Sequence, residues 1–287
     1  MANIRIIKNR IKSAKNIAQI TKAMELVAAS KMKKAQATAL AGKLYAQKIY
    51  DMVMELAQTV EVGSHPLLTK PATISGKRLV ILITTNKGLA GSLNGNVFRF
   101  LLKEYPKPEM AHFITLGRKG ADLLSRMGRT LVADFSTTVP FSSAAPAVIE
   151  LATREFTAHR YDGVDIVYSE FFSALTQKPR LKTIMPLTLD IPKVEAPTQA
   201  KASEFLIEPS RQEVFNLLLP HYVENQIRDA VLQAEASEHS ARMVAMRNAT
   251  DNALSLMDGL TVLYNKARQE KITYEISDMV TARMTVE

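Results

Sequence analysis

The sequence predicts an α/β domain inserted between two long helices that pair as an antiparallel coiled coil. Three observations predict it: a heptad pattern over the last 67 residues, a second one over roughly the first 59, and short apolar runs between them. After Pro220 the chain has no further proline and one glycine, Gly259. Leu232, Ala236, His239, Met243, Met246, Thr250, Ala253, Met257, Leu260, Tyr264 and Ala267 recur at alternating steps of four and three, which makes a seam with two polar interruptions. At about 1.5 Å per residue such a helix runs roughly 100 Å, several times the width of a small domain. Most of it must be covered by a partner helix or another protein, as in a lever, spacer or shaft.

Met1 to about Thr59 reads as the second long helix. Ile4, Ile7, Ile11, Ala14, Ala18, Thr21, Glu25, Ala28, Met32, Ala35 and Ala39 form its seam, and Ile17, Ile20, Met24 and Val27 form an adjacent apolar stripe. Two apolar faces imply more than one neighbour, or a seam that shifts along the helix. The first fifty residues hold 11 Lys and Arg against one acid, Glu25, so of the net +9 this helix carries +10 and the remainder −1. A charge run is ordinarily a solvated face, but this density favours an acidic partner. If the helices pair from the inserted domain, the C-terminal one is longer by about ten residues. Its last turns, with Ile272, Ile276, Met279, Val280, Met284 and Val286, then project alone and need a protein socket.

From Lys77 to about Thr188 the period changes. Strands are expected at Arg78–Thr85, Met110–Leu116, Thr130–Phe135, Val164–Tyr168 and Arg180–Leu189, with helices at Asn94–Tyr105, Ala121–Met127 and Ala145–His159. This alternation predicts a mostly parallel, Rossmann-like sheet covered on both faces. Ile191–Ser203 reads as a linker, Phe205–Ile207 as a last edge strand, and Ser210–Leu219 as a short helix with Pro209 in its first turn and Pro220 interrupting or ending it. The expected segments are 1–60 (N-terminal coiled-coil helix), 61–208 (α/β domain) and 209–287 (C-terminal coiled-coil helix).

Composition excludes several chemistries. Without cysteine there is no disulfide, thiolate nucleophile or cysteine-ligated metal, and the opening lacks the apolar segment and cleavage site of a secretory signal. No stretch approaches 18 uninterrupted apolar residues, so no transmembrane segment is expected. The loop Asn86–Asn94 lies where phosphate loops lie but lacks both G-x-x-x-x-G-K-[ST] and G-x-G-x-x-G, so a tight strand-to-helix turn is expected. The same holds for Gly117–Gly120 (GRKG). Glu235, Glu238 and His239 do not complete a metal-ligand set, and His239 on the seam reads as an interface histidine. Met243, Met246 and Met257 read as core. Nucleic acid is not expected as a partner: apolar faces interrupt the basic helix and only Tyr45 and Tyr50 offer stacking.

KNIAQITKAMELVAASKMKKAQ (Lys15–Gln36) and ASEHSARMVAMRNATDNALSLMDGLTVLYNKARQEKIT (Ala236–Thr273) closely resemble the gamma subunit of the rotary, F-type ATP synthase, in the family's order. The glycine loop departs from the family's S-D-R-G-L-C-G. It reads Thr84, Thr85, Asn86, Lys87, Gly88, Leu89, Ala90, Gly91, so the arginine is lost and Lys87 is the charge left at that turn. The chloroplast-type cysteine insertion is absent, which with the missing transit peptide suggests a bacterial protein. The resemblance implies a central-stalk rotor without catalytic residues, cofactor or metal, present once per alpha/beta hexamer and standing with the epsilon subunit on the membrane c-ring. Such a chain is peripheral at the cytoplasmic face of the cell membrane. Arg10, Lys12, Lys31, Lys33, Lys87, Arg268 and Gln269 are then expected to meet the beta subunits, and the apolar C-terminal turns to sit in a sleeve. The competing expectations are a basic coiled-coil nucleic-acid-binding or scaffold protein, and an α/β nucleotide enzyme with a helical oligomerisation arm.

Overall fold

A computed structural model describes residues 4–58, 60, 65–69, 75–188 and 207–284. The expected linker Ile191–Ser203, Phe205 of the expected edge strand, and Val286 lie outside them, as does the side chain of Met284. Helix α1 spans Ile4–Ala57, and helix α5 spans Arg211–Met284. Between them come β1 (Arg78–Ile83), α2 (Leu93–Glu104), β2 (Ala111–Leu116), α3 (Arg118–Arg126), β3 (Leu131–Asp134), α4 (Ala145–Thr157), β4 (Gly163–Phe171) and β5 (Gln177–Met185). The chain divides into two compact units, Met1–Ser30 with Arg242–Glu287 and Lys31–Ala241.

Unit 1 is an antiparallel helix pair. Thr21 and Thr250 share a hydroxyl hydrogen bond of 2.7 Å, and one turn further along α1 the Arg247 guanidinium donates to Glu25 at 3.1 Å. Every predicted seam residue of this unit is buried or half-buried, from Ile4 to Ala28 on α1 and from Met243 to Ala267 on α5. The adjacent stripe remains uncovered, with Ile17, Ile20, Met24 and Val27 at 52, 60, 37 and 57 % exposure. In unit 1 the seam therefore keeps to one face, and the second apolar face has no covering neighbour among the described residues. From Arg268 to Thr281 every residue is exposed, as expected where α5 outruns α1.

Unit 2 is a five-stranded sheet in the order β3-β2-β1-β4-β5, parallel except for β5, which pairs antiparallel with β4. Alternation along the strands divides the core. Val80, Leu82, Phe113 and Val167 meet Val97 and Leu101 of α2 and Leu124 of α3, while Leu79, Ile81, Ile114 and Ile166 meet Val148, Ala152 and Phe156 of α4. The second face is completed by Ile49, Val53 and Leu56 of α1 and by Phe215, Leu219, Val223, Ile227 and Val231 of α5.

Several boundaries correct the sequence reading. Helix α3 begins at Arg118, so GRKG enters the helix, and β5 starts three residues before Arg180. Ile207, the one residue of the expected edge strand that is described, is not in a strand. Pro220 neither interrupts nor ends a helix: α5 runs through it. The proline is exposed, so water can satisfy the carbonyl it leaves unpaired, while Phe215, Leu219, Val223 and Ile227 are each fully buried and hold the helix to the sheet on either side of it. Pro209 precedes the helix; the Ser210 hydroxyl caps it by accepting the Glu213 N–H at 3.2 Å.

Candidate functional site

An open α/β sheet binds ligands beyond the carboxyl ends of its strands, where successive crossovers diverge to opposite faces. Here that point lies between β1 and β4, since α2 and α3 cover one face and α4 the other. The chain fills it with its own atoms. Thr84, at the end of β1, donates its hydroxyl to the Gly117 carbonyl at 3.1 Å and accepts the Gly120 N–H at 2.9 Å. The GRKG glycines permit that approach: a β-carbon on Gly117, at φ +116°, would stand 2.1 Å from the Thr84 carbonyl oxygen.

The next loop is equally self-contained. Asn94 donates to the Thr85 hydroxyl at 2.7 Å, and that hydroxyl donates to the Lys87 carbonyl at 2.7 Å. Asn86 accepts the Arg118 N–H at 2.8 Å and donates to the Ser136 carbonyl at 2.9 Å, tying three loops together. From the far side α5 brings Ala234, Glu235 and Glu238, which with Phe141 and Ser169 leave a cavity of ≈ 10 Å³. Ligand pockets run to about 300 Å³ and more, so the crevice has room for no more than a water. Burial, followed by the neighbouring Glu238 charge, pushes the Glu235 carboxyl above its ordinary range, against a backbone hydrogen bond at Phe141. The Asn86–Asn94 loop is thus a tight strand-to-helix turn, as expected, and it is braced against GRKG, whose last three residues open α3 rather than forming the expected turn. Among the described residues no group of three or more His, Asp or Glu can hold a metal ion.

A larger groove of ≈ 880 Å³ opens between α1 and α5 of unit 2, past Leu40, Tyr45, Tyr50, Tyr222, Lys182 and Asp229. Its lining residues lie in helices and sheet strands, whose backbone N–H groups are spent on their own ladders, so no phosphate cradle forms there.

Sequence reasoning missed the residues that fasten α5 to the sheet. Ser237 and Ser240, both fully buried, donate their hydroxyls to the carbonyls of Ser169 at 2.9 Å and Ala174 at 2.6 Å, gripping the β4–β5 hairpin. Gln177 donates to the Ser240 hydroxyl at 3.3 Å. The available signal was two small hydroxyl residues three apart, each beside a seam position, Ala236 and His239.

The predicted contact residues all sit on the surface. In unit 1, Arg10, Lys12, Arg268 and Gln269 are exposed, as are Ile272, Ile276, Met279 and Val280 on the projecting turns of α5. In unit 2, Lys31, Lys33 and Lys87 are exposed, Lys87 beside the left-handed, exposed Leu89. The structure gathers none of them into a pocket. Along α1 they form a cationic surround to a buried seam, open to a partner that passes alongside.

Comparison with known proteins agrees with this architecture. A family model described as ATP synthase matches residues 3–285. The ATP synthase gamma chains of Opitutus terrae and Roseiflexus castenholzii are 43 % and 42 % identical to this chain, covering 99 % and 97 % of it and 98 % and 97 % of their own lengths. Among solved structures, a chain from the OSCP/F1/c-ring structure of Euglena gracilis mitochondrial ATP synthase shares the fold with a TM-score of 0.67 at 21 % identity, covering 99 % of this chain and 94 % of its own. A chain from the Tetrahymena thermophila central stalk/c-ring structure has a TM-score of 0.57 at 25 % identity, covering 80 % and 99 %. The full-length match to the family model and to its curated relatives settles the assignment: this chain belongs to the ATP synthase gamma-chain family.

Proposed function

We propose that this chain is the central-stalk rotor of a bacterial ATP synthase, a non-catalytic subunit that couples rotation of an ion-driven c-ring to the three catalytic sites of an alpha/beta hexamer. The observation that carries the reading is the stripped-down shaft: two helices sealed on one seam, cationic along α1, with an uncovered apolar stripe at Ile17, Ile20, Met24 and Val27, and extended by exposed apolar turns of α5. The assignment of the chain to the gamma-chain family supports it. The nucleic-acid and scaffold alternative has no such support, and no phosphate cradle supports the nucleotide-enzyme alternative.

The mechanism is linkage. A shaft that is different on each side meets three chemically identical sites unequally, so each angle stabilises a different set of open and closed states; hydrolysis then turns the shaft in reverse. Arg10, Lys12, Lys31, Lys33 and Lys87 meet acidic levers of successive beta subunits. They are exposed and keep their water, so contacts form and break without a large desolvation cost. Arg268 and Gln269 meet a beta-subunit loop higher up. Ile272, Ile276, Met279, Val280, Met284 and Val286 form the bearing surface, where apolar contact without directional bonds resists turning least. Segments 1–60 and 209–287 act as the shaft and 61–208 as the foot, which stands with epsilon on the c-ring at the cytoplasmic face of the membrane; no described helix is long and apolar enough to cross it. Reconstitution with alpha and beta subunits tests the reading: one copy per hexamer is expected, with ATPase activity arising only in the complex. Any other ratio overturns it.

A further inference from the structure

The small cavity in the crevice of unit 2 has an apolar side, formed by Leu93 and Val97 of α2 and by Phe141, and a polar one. Most of the polar side is spent within the loops. The Thr84 hydroxyl bonds the Gly117 carbonyl and the Gly120 N–H, and the Thr85 hydroxyl and the Asn94 amide bond each other. Ser169 is the exception. Alternation along β4 puts it on the same face as Val167, and it lines the cavity at 4 % exposure. Its carbonyl accepts the Ser237 hydroxyl at 2.9 Å, but its own hydroxyl, fully out of reach of solvent, has no hydrogen-bond partner among the described residues. A buried hydroxyl left in that state is costly, and natural proteins rarely keep one. Glu235 of α5 lines the same cavity. Its carboxyl accepts a backbone hydrogen bond at Phe141, which leaves it further acceptor positions.

We propose that this cavity is a binding site for a single water molecule, held between the Ser169 hydroxyl and the Glu235 carboxyl. Its ≈ 10 Å³ is the space one water needs and admits nothing larger. The chemistry selects water as well. A hard cation gathers about six oxygens, and here Leu93, Val97 and Phe141 stand where such ligands would have to be. An apolar guest would leave the buried hydroxyl without a partner. Water answers both groups, because it accepts the Ser169 proton and donates to Glu235, or accepts from Glu235 when that carboxyl is protonated. The upward shift of Glu235 by burial is that of a carboxyl withdrawn from bulk solvent and still in need of such a partner. The site gives one strand residue two holds on α5. Ser169 takes Ser237 directly through its carbonyl and, by way of the water, takes Glu235 through its side chain. The crevice in which an open sheet would bind a ligand is on this account closed by the chain together with one solvent molecule.

Two measurements on the full-length chain test the site. Crystals that diffract well enough to order single waters should show one within hydrogen-bond distance of both the Ser169 hydroxyl and a Glu235 carboxyl oxygen. A cavity without density, or a water bonded to only one of the two, overturns the proposal. In solution, oxygen-17 relaxation dispersion counts the waters that stay longer than the chain takes to tumble. Ser169→Val keeps the carbonyl that Ser237 grips and puts methyl groups into the cavity, so its count should be lower by one than that of the full-length chain. Should that variant fail to fold, Ser169→Thr, which adds a single methyl group, should show the same loss. An equal count in a folded variant overturns the proposal.

Discussion

Unit 1 and unit 2 use stretches of the same two helices and hold them by opposite means. In unit 2, α1 and α5 present Ile49, Val53, Leu56, Phe215, Leu219, Val223 and Ile227 to a sheet whose strands are buried on both faces. In unit 1 the contact is a single seam, Ile4 to Ala28 on α1 against Met243 to Ala267 on α5, and more than half of Ile17, Ile20 and Val27 faces solvent. In unit 2 large side chains interlock by shape in a core many residues wide, whereas the narrow seam of unit 1 is crossed by two polar contacts, Thr21 with Thr250 and Arg247 with Glu25.

The comparison is broken most severely from the foot. Phe113→Ala, in a fully packed strand position, should lower the stability of unit 2 by about 3–5 kcal/mol in thermal or denaturant melting. Asp165→Ala should follow at about 3–4 kcal/mol. That buried carboxylate accepts from Arg78, from Tyr105 at 2.6 Å and from Thr183 at 2.7 Å, and its loss strands the Arg78 charge against the sheet. Burial already pushes the Tyr105 phenol far above its ordinary value, and the Asp165 charge adds to that, so the tyrosine remains a proton donor throughout the accessible range. Replacing Ser237 and Ser240 together by alanine should cost about 2 kcal/mol, since each donates one bond, and should speed hydrogen exchange in the β4–β5 hairpin ahead of the central strands.

Acid sharpens the contrast, because the two units carry carboxyls shifted in opposite senses. Hydrogen bonding from Lys22 holds Glu25 below the ordinary value of 4.5, with Arg247 adding to it against burial. Its contribution is therefore present above that value and lost as the pH falls through the lower folded one. Glu235 is raised, so its contribution is full below the ordinary value and fades as the pH rises through the folded one. Lowering the pH should speed hydrogen exchange in α1 around Glu25 before it does so in the central strands, and Glu25→Gln should remove that acid sensitivity; an identical acid response in Glu25→Gln would refute it. The smallest effect on stability is expected at Ile17→Ser and Ile20→Ser, within about 0.5 kcal/mol, because neither side chain is covered. On the proposed function, the same substitutions weaken assembly with the alpha and beta subunits, measured by the fraction of chain co-purifying with the hexamer.

Much of this molecule was legible from residue spacing. The seams of α1 and α5 follow the three-and-four rhythm residue by residue, and the strand and helix order of the middle matches its apolar runs, because both signals are local. The reading failed where a distant part of the chain decided. Pro220 carried a local stop signal that four buried residues around it overrode. The bracing of GRKG against Thr84, and the filling of the crevice by Ala234, Glu235 and Glu238, depend on residues more than thirty, and for α5 more than sixty, positions away. The predicted surface cations were visible as charge and are exposed in the structure, but their surroundings could not be inferred from their number.

The sequence by itself determined the class of the protein: two long seamed helices, a parallel sheet between them, and a charge imbalance confined to one helix. Only the tertiary structure decided which apolar stripe of α1 is sealed and which is left open, that the sheet's natural binding crevice is closed from within, and that Glu25, already legible as a seam position, is held by Arg247 of the opposite helix. Periodicity is written in neighbours along the chain. Closure, exposure and the pairing of a buried charge are set by residues that meet only after the chain has folded.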